Sequence, residues 1–206
     1  MEQFATEEQQ VEAIKRFWKD NGMAIVLGAV VGLGGLWGWR YYSETQLENK
    51  AQASVEYQQA VETLPSQAGL DNVDKFISSH NDSGYASIAR FMKVSKLVEN
   101  NELDQAANTL EEVISTTDDN NLKALAGIQL ARIQLEQNNF DQALATLGGL
   151  NNDAFSSLIA EIKGDVLAAQ GKPDDARMAY TKALENNASN QLVKMKLDNL
   201  SVVTGS

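Results

Sequence analysis

Residues able to carry covalent or acid–base chemistry are scarce in this chain of 206 residues. His80 is the only histidine. It lies in the polar turn HNDSG (80–84) with no ligating or nucleophilic side chain clustered around it, so it reads as a surface residue. The absence of cysteine removes thiol nucleophiles, disulfides and thiolate metal sites. There is no Gly-Lys-Ser/Thr phosphate loop, no Gly-x-Ser-x-Gly elbow and no His-Glu-x-x-His zinc motif. The acid pairs Asp118-Asp119 and Asp174-Asp175 stand where helices would begin, and there a carboxylate caps backbone amides rather than moving protons. With so little for general acid–base or nucleophilic work, the sequence indicates no enzyme, no cofactor and no metal. The remaining task is to bind other proteins.

Composition narrows the partners. The formal net charge is −11, and residues 41–206 hold 13 Lys+Arg against 23 Asp+Glu, or −10. A domain of that charge is a poor ligand for nucleic acid or an anionic membrane surface, and its acidity reads as a solubilising coat. Only two prolines occur, and Ala, Leu, Gln, Asn, Glu and Lys dominate after residue 43, which favours helix throughout. The expected class is all-α.

One stretch does not belong to a soluble domain. Between Asp20 and Arg40 lie 19 uncharged positions, including the run MAIVLGAVVGLGGLWGW. As a helix this spans about 28 Å at ~1.5 Å per residue, close to the ~30 Å hydrocarbon core of a bilayer. Phe17 and Trp18 flank one end; Trp37, Trp39, Tyr41 and Tyr42 flank the other, where amphipathic rings favour the headgroup level. The run ends in bulky residues and lacks a small-residue cleavage site, so it reads as a retained anchor rather than a removable signal peptide. Ala24, Gly28, Gly32, Gly34, Gly35 and Gly38 fall within about half of the helical wheel. Such a face is either the ordinary glycine content of membrane helices or a packing face for another membrane helix, including a second copy in a homodimer.

Basic residues near the span set its direction. Lys15, Arg16 and Lys19 precede it; Arg40 and Lys50 follow. The bias places the N-terminus in the cytoplasm and residues 41–206 outside it. Residues 7–19 form a short amphipathic helix with Val11, Ile14, Phe17 and Trp18 on one side, suited to the membrane interface or to a cytoplasmic partner. Asn21-Gly22 is expected to break this helix before the span.

After Arg40 the chain reads as a helix to residue 64 that continues the membrane helix outward as a stalk and then packs on the domain, followed by a break at 65–69, a helix over 70–79 with Val73, Phe76 and Ile77 inward, and then a repeat. NELDQAANTL (101–110), NNFDQALATL (138–147) and GKPDDARMAY (171–180) align. Ala106, Ala143 and Ala176 coincide at spacings of 37 and 33 residues, as do Asp104, Asp141 and Asp174. Leu110, Leu147 and Tyr180 share a large apolar slot, and Val113, Leu150 and Ala183 a third slot. The preceding helices carry a second small slot at Val94, Ala131 and Gly164, small in two of the three. Small residues on both helices of a hairpin permit close approach, and large ones fill the next turn.

This pattern resembles the tetratricopeptide repeat, a helical hairpin of about 34 residues. Units are expected at about 87–120, 124–156 and 157–188, with a capping helix over 190–203. In that register Ile88, Phe91, Val98, Leu125, Ile128, Arg132 and Leu135 would face a protein-binding groove, unless the 44–64 helix covers them. Glu161 and Asp165 stand at the equivalent positions of the third unit. Arg132 is the single basic residue of the set, so a clamp for a peptide carboxylate of the tetratricopeptide kind is absent or much altered.

The whole layout resembles the YfgM-type ancillary subunits of the bacterial Sec translocon. The resemblance is carried by VEAIKRFWKDNG (11–22), GWRYY (38–42), ASVEYQQAV (53–61), NLKALAGIQLARIQLEQ (121–137), GDVLAAQGKPDDAR (164–177) and KMKLDNLSV (194–202). It implies an inner-membrane, single-pass protein with residues 1–20 cytoplasmic, 21–40 spanning the membrane, and 41–206 forming a periplasmic tetratricopeptide-like solenoid. It further implies three kinds of partner: Sec translocon membrane subunits, a membrane-anchored periplasmic chaperone of the prolyl-isomerase-like class, and newly exported envelope proteins. An adaptor at the translocon is the first expectation. A structural scaffold for envelope assembly, or a regulator of an envelope-stress response acting through residues 1–20, are the alternatives.

Overall fold

A computed structural model describes residues 7–66 and 68–203. Residues 1–6 of the N-terminal segment and the tail 204–206 lie outside the described residues. Among the described residues nine α-helices follow in order: α1 (Glu7–Glu62), α2 (Gly69–Ser79), α3 (Gly84–Glu99), α4 (Leu103–Thr116), α5 (Asn120–Glu136), α6 (Phe140–Gly148), α7 (Ser156–Ala169), α8 (Pro173–Asn186) and α9 (Gln191–Val203), with a 3-10 turn at Asp153–Phe155 before α7. The chain divides into two units between Ser54 and Val55.

The first unit is helical throughout its described part. α1 passes through Asn21-Gly22 without the expected break. Asn21 Nδ2 donates to the Phe17 carbonyl one turn back at 3.2 Å, so the side chain supports the helix instead of competing with it. A glycine inside a helix costs roughly 1 kcal/mol relative to alanine, too little to interrupt a segment whose backbone has no alternative partners in an apolar medium. Within α1 lies a stretch long and apolar enough to cross a membrane, and only 6% of its most apolar window is buried by the protein itself. Trp37 stacks on Tyr41 at 6.1 Å, and Trp39 meets Tyr42 at 6.4 Å.

The second unit is a linear array of helical hairpins. Its core is a series of adjoining clusters rather than one centre, as expected of a solenoid. The final turns of α1 pack with α2 and α3 through Ala60, Leu64, Val73, Phe76, Ile77 and Ala89. Next, Val94, Leu97, Ala106, Leu110 and Leu130 join α3, α4 and α5. Ile128, Ala131, Ala143, Leu147, Ile162 and Val166 join α5, α6 and α7. Ala176, Ala179, Tyr180, Ala183 and Val193 close the array between α7, α8 and α9. Burying a side chain the size of Leu97 or Leu110 stabilises by about 1.5–3 kcal/mol.

The hairpin turns share one design. Asn101, Asn138 and Gly171 have φ of 62°, 59° and 77°. Around them the amides of Glu102, Asn139 and Lys172 reach back to the carbonyls of Leu97, Gln134 and Leu167 at 2.8, 2.7 and 2.9 Å. These are Schellman closures, in which a left-handed residue lets the chain satisfy the last carbonyls of one helix and start the next at once. Asp104, Asp141 and Asp174 then occupy the first turns of α4, α6 and α8.

Ala106, Ala143 and Ala176 are fully buried at the hairpin contacts, and Ala131 is fully buried beside Ala143. Gly164 is set by a neighbouring ring: a Cβ there would lie 2.4 Å from Tyr180 Cε1. The third slot departs from the expected register. Val113 and Ala183 are buried within α4 and α8, but Leu150 lies beyond α6, which ends at Gly148-Gly149. Leu150 instead folds over Gly127, whose Cβ would meet Leu150 Cδ2 at 2.6 Å.

Overpacking at the Gly164 contact has a definite expectation. Gly164→Val should destabilise the array by about 1–3 kcal/mol, lowering Tm by several degrees. Adding Tyr180→Ala should recover part of that loss in a double-mutant cycle. Additive losses, read by thermal unfolding, would mean that the ring does not set the identity of residue 164.

Candidate protein-binding surfaces

The proposed groove residues do not form one surface. Ile88 and Phe91 of α3 share a cleft of about 560 Å³ with Val61, Leu64 and Pro65, so the end of α1 borders this part without closing it. Ile88 is half exposed at 49%; Phe91 is partly buried. Val98 and Arg132 are exposed, and Leu125 and Leu135 are half-buried. Ile128 is a correction: at 1% exposure it belongs to the core between α5, α6 and α7 and lines no groove. α5 is covered on most of its circumference, with Ala124, Ala126, Gly127, Leu130 and Ile133 also buried, so it has no wide free apolar face.

Glu161 and Asp165 on α7 are not open to a ligand. Lys196 of α9 reaches across and donates to Glu161 Oε1 at 2.8 Å and Asp165 Oδ2 at 2.7 Å. Asn190 Nδ2 donates to the second Glu161 oxygen at 3.2 Å, and the Tyr180 hydroxyl donates to Asp165 Oδ1 at 2.8 Å. Glu161 is 6% exposed, and these donors satisfy the oxygens of its carboxylate. Burial raises the pKa of the Tyr180 phenol, and its hydrogen bond to Asp165 and the nearby carboxylate charges raise it further. For Lys196, burial is the largest single influence and lowers its pKa. The hydrogen bonds and charges of Asp165 and Glu161 together outweigh it, and the ammonium is held above its ordinary value. The network locks the terminal helix onto the last hairpin.

Other polar contacts were not legible from spacing. Gln137 Nε2 donates to Asp104 at 2.7 Å, and Gln170 Nε2 donates to Asp141 at 3.0 Å. The repeated aspartates therefore link successive hairpins as well as opening their helices. Arg90, read from sequence as nothing in particular, is buried and donates to Asn81 and Glu112. His80 is another correction. Its ring stacks on Phe76 at 5.0 Å and its Nδ1 lies 3.7 Å from Glu56 Oε2, so it helps close the α2 end rather than standing free at the surface.

The glycine face of α1 is uncovered by its own unit among the described residues. A Cβ added at Gly28, Gly32, Gly34, Gly35 or Gly38 would meet nothing within 4 Å. Among the described residues no group of three or more His, Cys, Asp or Glu is placed to hold a metal.

These observations define a class: an all-helical repeat protein with a candidate membrane span at its N-terminal end. Comparison with known proteins is consistent along the chain. Residues 15–202 match the family described as tetratricopeptide repeat-like domain. The chain is 34% identical over 208 residues to the ancillary SecYEG translocon subunit of Escherichia coli K12, covering 98% of this chain and all of that protein. It is 29% identical over 198 residues to the protein of the same description from Haemophilus influenzae, covering 94% and 97% of the two chains. A Neisseria gonorrhoeae protein of that description is 29% identical over 202 residues, again covering 94% and 97%. The chain belongs to this family of YfgM-type ancillary translocon subunits with a tetratricopeptide-like domain.

The α7–α9 network makes a pH-dependent prediction. Both Tyr180 and Lys196 have folded pKa values above their unfolded ones, so the stability they contribute is complete below about pH 10 and is lost as pH rises through the folded values. Lys196→Met leaves Glu161 without its cation and should cost about 2–3 kcal/mol at neutral pH, less than a fully buried pair because Lys196 is partly exposed. Thermal melts of wild type and variant should converge above pH 10; a constant gap across pH would contradict the assignment.

Proposed function

We propose that this protein is a non-enzymatic adaptor of the inner membrane, associated with the Sec translocon. The observation that carries the reading is similarity along almost the whole chain, membrane helix included, to ancillary SecYEG translocon subunits. A relative sharing only the repeat domain would support a generic binding module; one sharing the anchor as well supports the same membrane setting. In this reading residues 1–20 face the cytoplasm, 21–40 cross the membrane, and 41–206 lie in the periplasm. The face formed by Ala24, Gly28, Gly32, Gly34, Gly35 and Gly38 meets a translocon membrane subunit, since small residues allow helix backbones to approach closely.

The repeat domain then receives a membrane-anchored prolyl-isomerase-like chaperone or newly exported envelope proteins. Its first contact is the cleft at Ile88 and Phe91, where apolar side chains are partly exposed beside the end of α1. Val98 and Arg132 extend the candidate surface along the array; Leu125 and Leu135 contribute only their exposed edges.

Two measurements on the full chain test this. Gly28→Leu/Gly32→Leu should lower recovery of SecYEG in mild-detergent co-purification several-fold while leaving the repeat domain folded. A photocrosslinker at Ile88 should capture an exported chain or a chaperone, and one at Asp198, an exposed position of the terminal helix α9, should not. Undiminished SecYEG recovery with the leucine pair would remove the glycine face from the contact. Equal capture at both crosslinker positions would remove the cleft.

A further inference from the structure

The second hairpin is built short. α4 and α8, the second helices of the first and third hairpins, each have 14 residues, whereas α6 has 9. At ~1.5 Å per residue, α6 lacks about 7 Å of helix, roughly one and a half turns. Gly148 and Gly149 end it, and the chain leaves through Leu150 to the 3-10 turn. The missing turns open a groove between α6 and α8 over α7.

The groove has a volume of about 650 Å³. Its floor is Ile159, Ala160 and Leu167 of α7, and one wall is Met178 and Ala179 of α8. Met178 is 64% exposed, a flexible thioether on the open side of an apolar floor. Lys163 and Lys182 also line it. Both are exposed, and neither has a carboxylate within the 4 Å ion-pair distance among the described residues, although the domain around them carries a charge of −10. Of the two carboxylates of the groove, Asp175 sits in the first turn of α8, where the helix amides offset its charge, and Asp153 opens the 3-10 turn before α7.

We infer that this groove docks an amphipathic helix of a partner protein, with apolar side chains on one face and carboxylates beside them. The partner helix supplies the turns that α6 lacks. Its apolar face, at i, i+3, i+4 and i+7, covers Ile159, Leu167 and Met178, and its carboxylates pair with Lys163 and Lys182. The site is separate from the Ile88–Phe91 cleft and from the glycine face, so it stands whether or not the translocon reading holds.

The test uses the full chain in lipid nanodiscs and a panel of fluorescein-labelled peptides of about 14 residues, four helical turns, with Leu at i, i+3, i+4 and i+7 and Glu between, in each helical register. Empty nanodiscs give the lipid background. At least one Leu/Glu peptide should bind saturably. Its Kd should rise about tenfold or more with Lys163→Glu/Lys182→Glu. Gly148→Trp should weaken binding comparably, because position 148 opens into free space where a Cβ meets nothing within 4 Å and an indole can occupy the groove mouth. Unchanged circular dichroism shows that both variants are folded. The inference is overturned by no saturable binding across the panel, by equal binding to either variant, or by Leu/Lys peptides binding as well as Leu/Glu. Loss of the Ile88 crosslink with Leu/Glu binding intact would count against the cleft alone.

Discussion

The governing constraint is solvation. α1 presents Val26, Leu27, Val30, Val31, Leu33, Leu36 and Trp37 with most of their surface uncovered. Side chains of this kind gain about 25 cal/mol for each Å² removed from water, so a run of them is stable only in an apolar surrounding. A bilayer supplies that surrounding and also favours an unbroken helix, since backbone amides have no water to turn to. Continuity through Asn21-Gly22 follows from the same constraint. The aromatic pairs at 37–42 and Arg40, paired with Glu44 at 2.8 Å, stand at the end of the candidate span, and such side chains favour the headgroup level.

Residues 55–203 meet a different constraint, the close approach of two helices in each hairpin. Alanine at 106, 143 and 176 makes that approach possible, and the left-handed turn at 101, 138 and 171 returns the chain while pairing the carbonyls of Leu97, Gln134 and Leu167. Asp104 and Asp141 join one hairpin to the next through Gln137 and Gln170. Stability is therefore built contact by contact along the array, and its last exposed face must be closed. α9 closes it with Val193 buried against α8 and with Lys196 bound to Glu161 and Asp165. Those carboxylates are thereby engaged within the array and not open at its end.

Helix type, the repeat period and the small residues at its contacts were readable because they depend on spacings within one hairpin. The misread positions depend on neighbours elsewhere. Ile128 looked groove-facing because α5 is apolar on several sides, and a helix in the middle of a solenoid is buried between both neighbours, which erases the amphipathic signal. Leu150 matched its slot by alignment, yet two glycines end α6 before it. Lys196 and Glu161 are 35 residues apart, and no local pattern joins them. His80 occupied a turn sequence that gave no sign of Phe76 stacking beneath it.

The proposed function rests on one topology, with residues 1–20 and residues 41–206 on opposite sides of the membrane. The natural absence of cysteine allows a direct measurement. Asn108→Cys, on an exposed position of α4, and Lys15→Cys, before the span, are each treated with a membrane-impermeant maleimide in cells whose outer membrane alone has been permeabilised. The proposed topology predicts labelling of Asn108→Cys in these permeabilised cells and of Lys15→Cys only after lysis of the inner membrane. The reverse pattern, or labelling of both only after lysis, would contradict it.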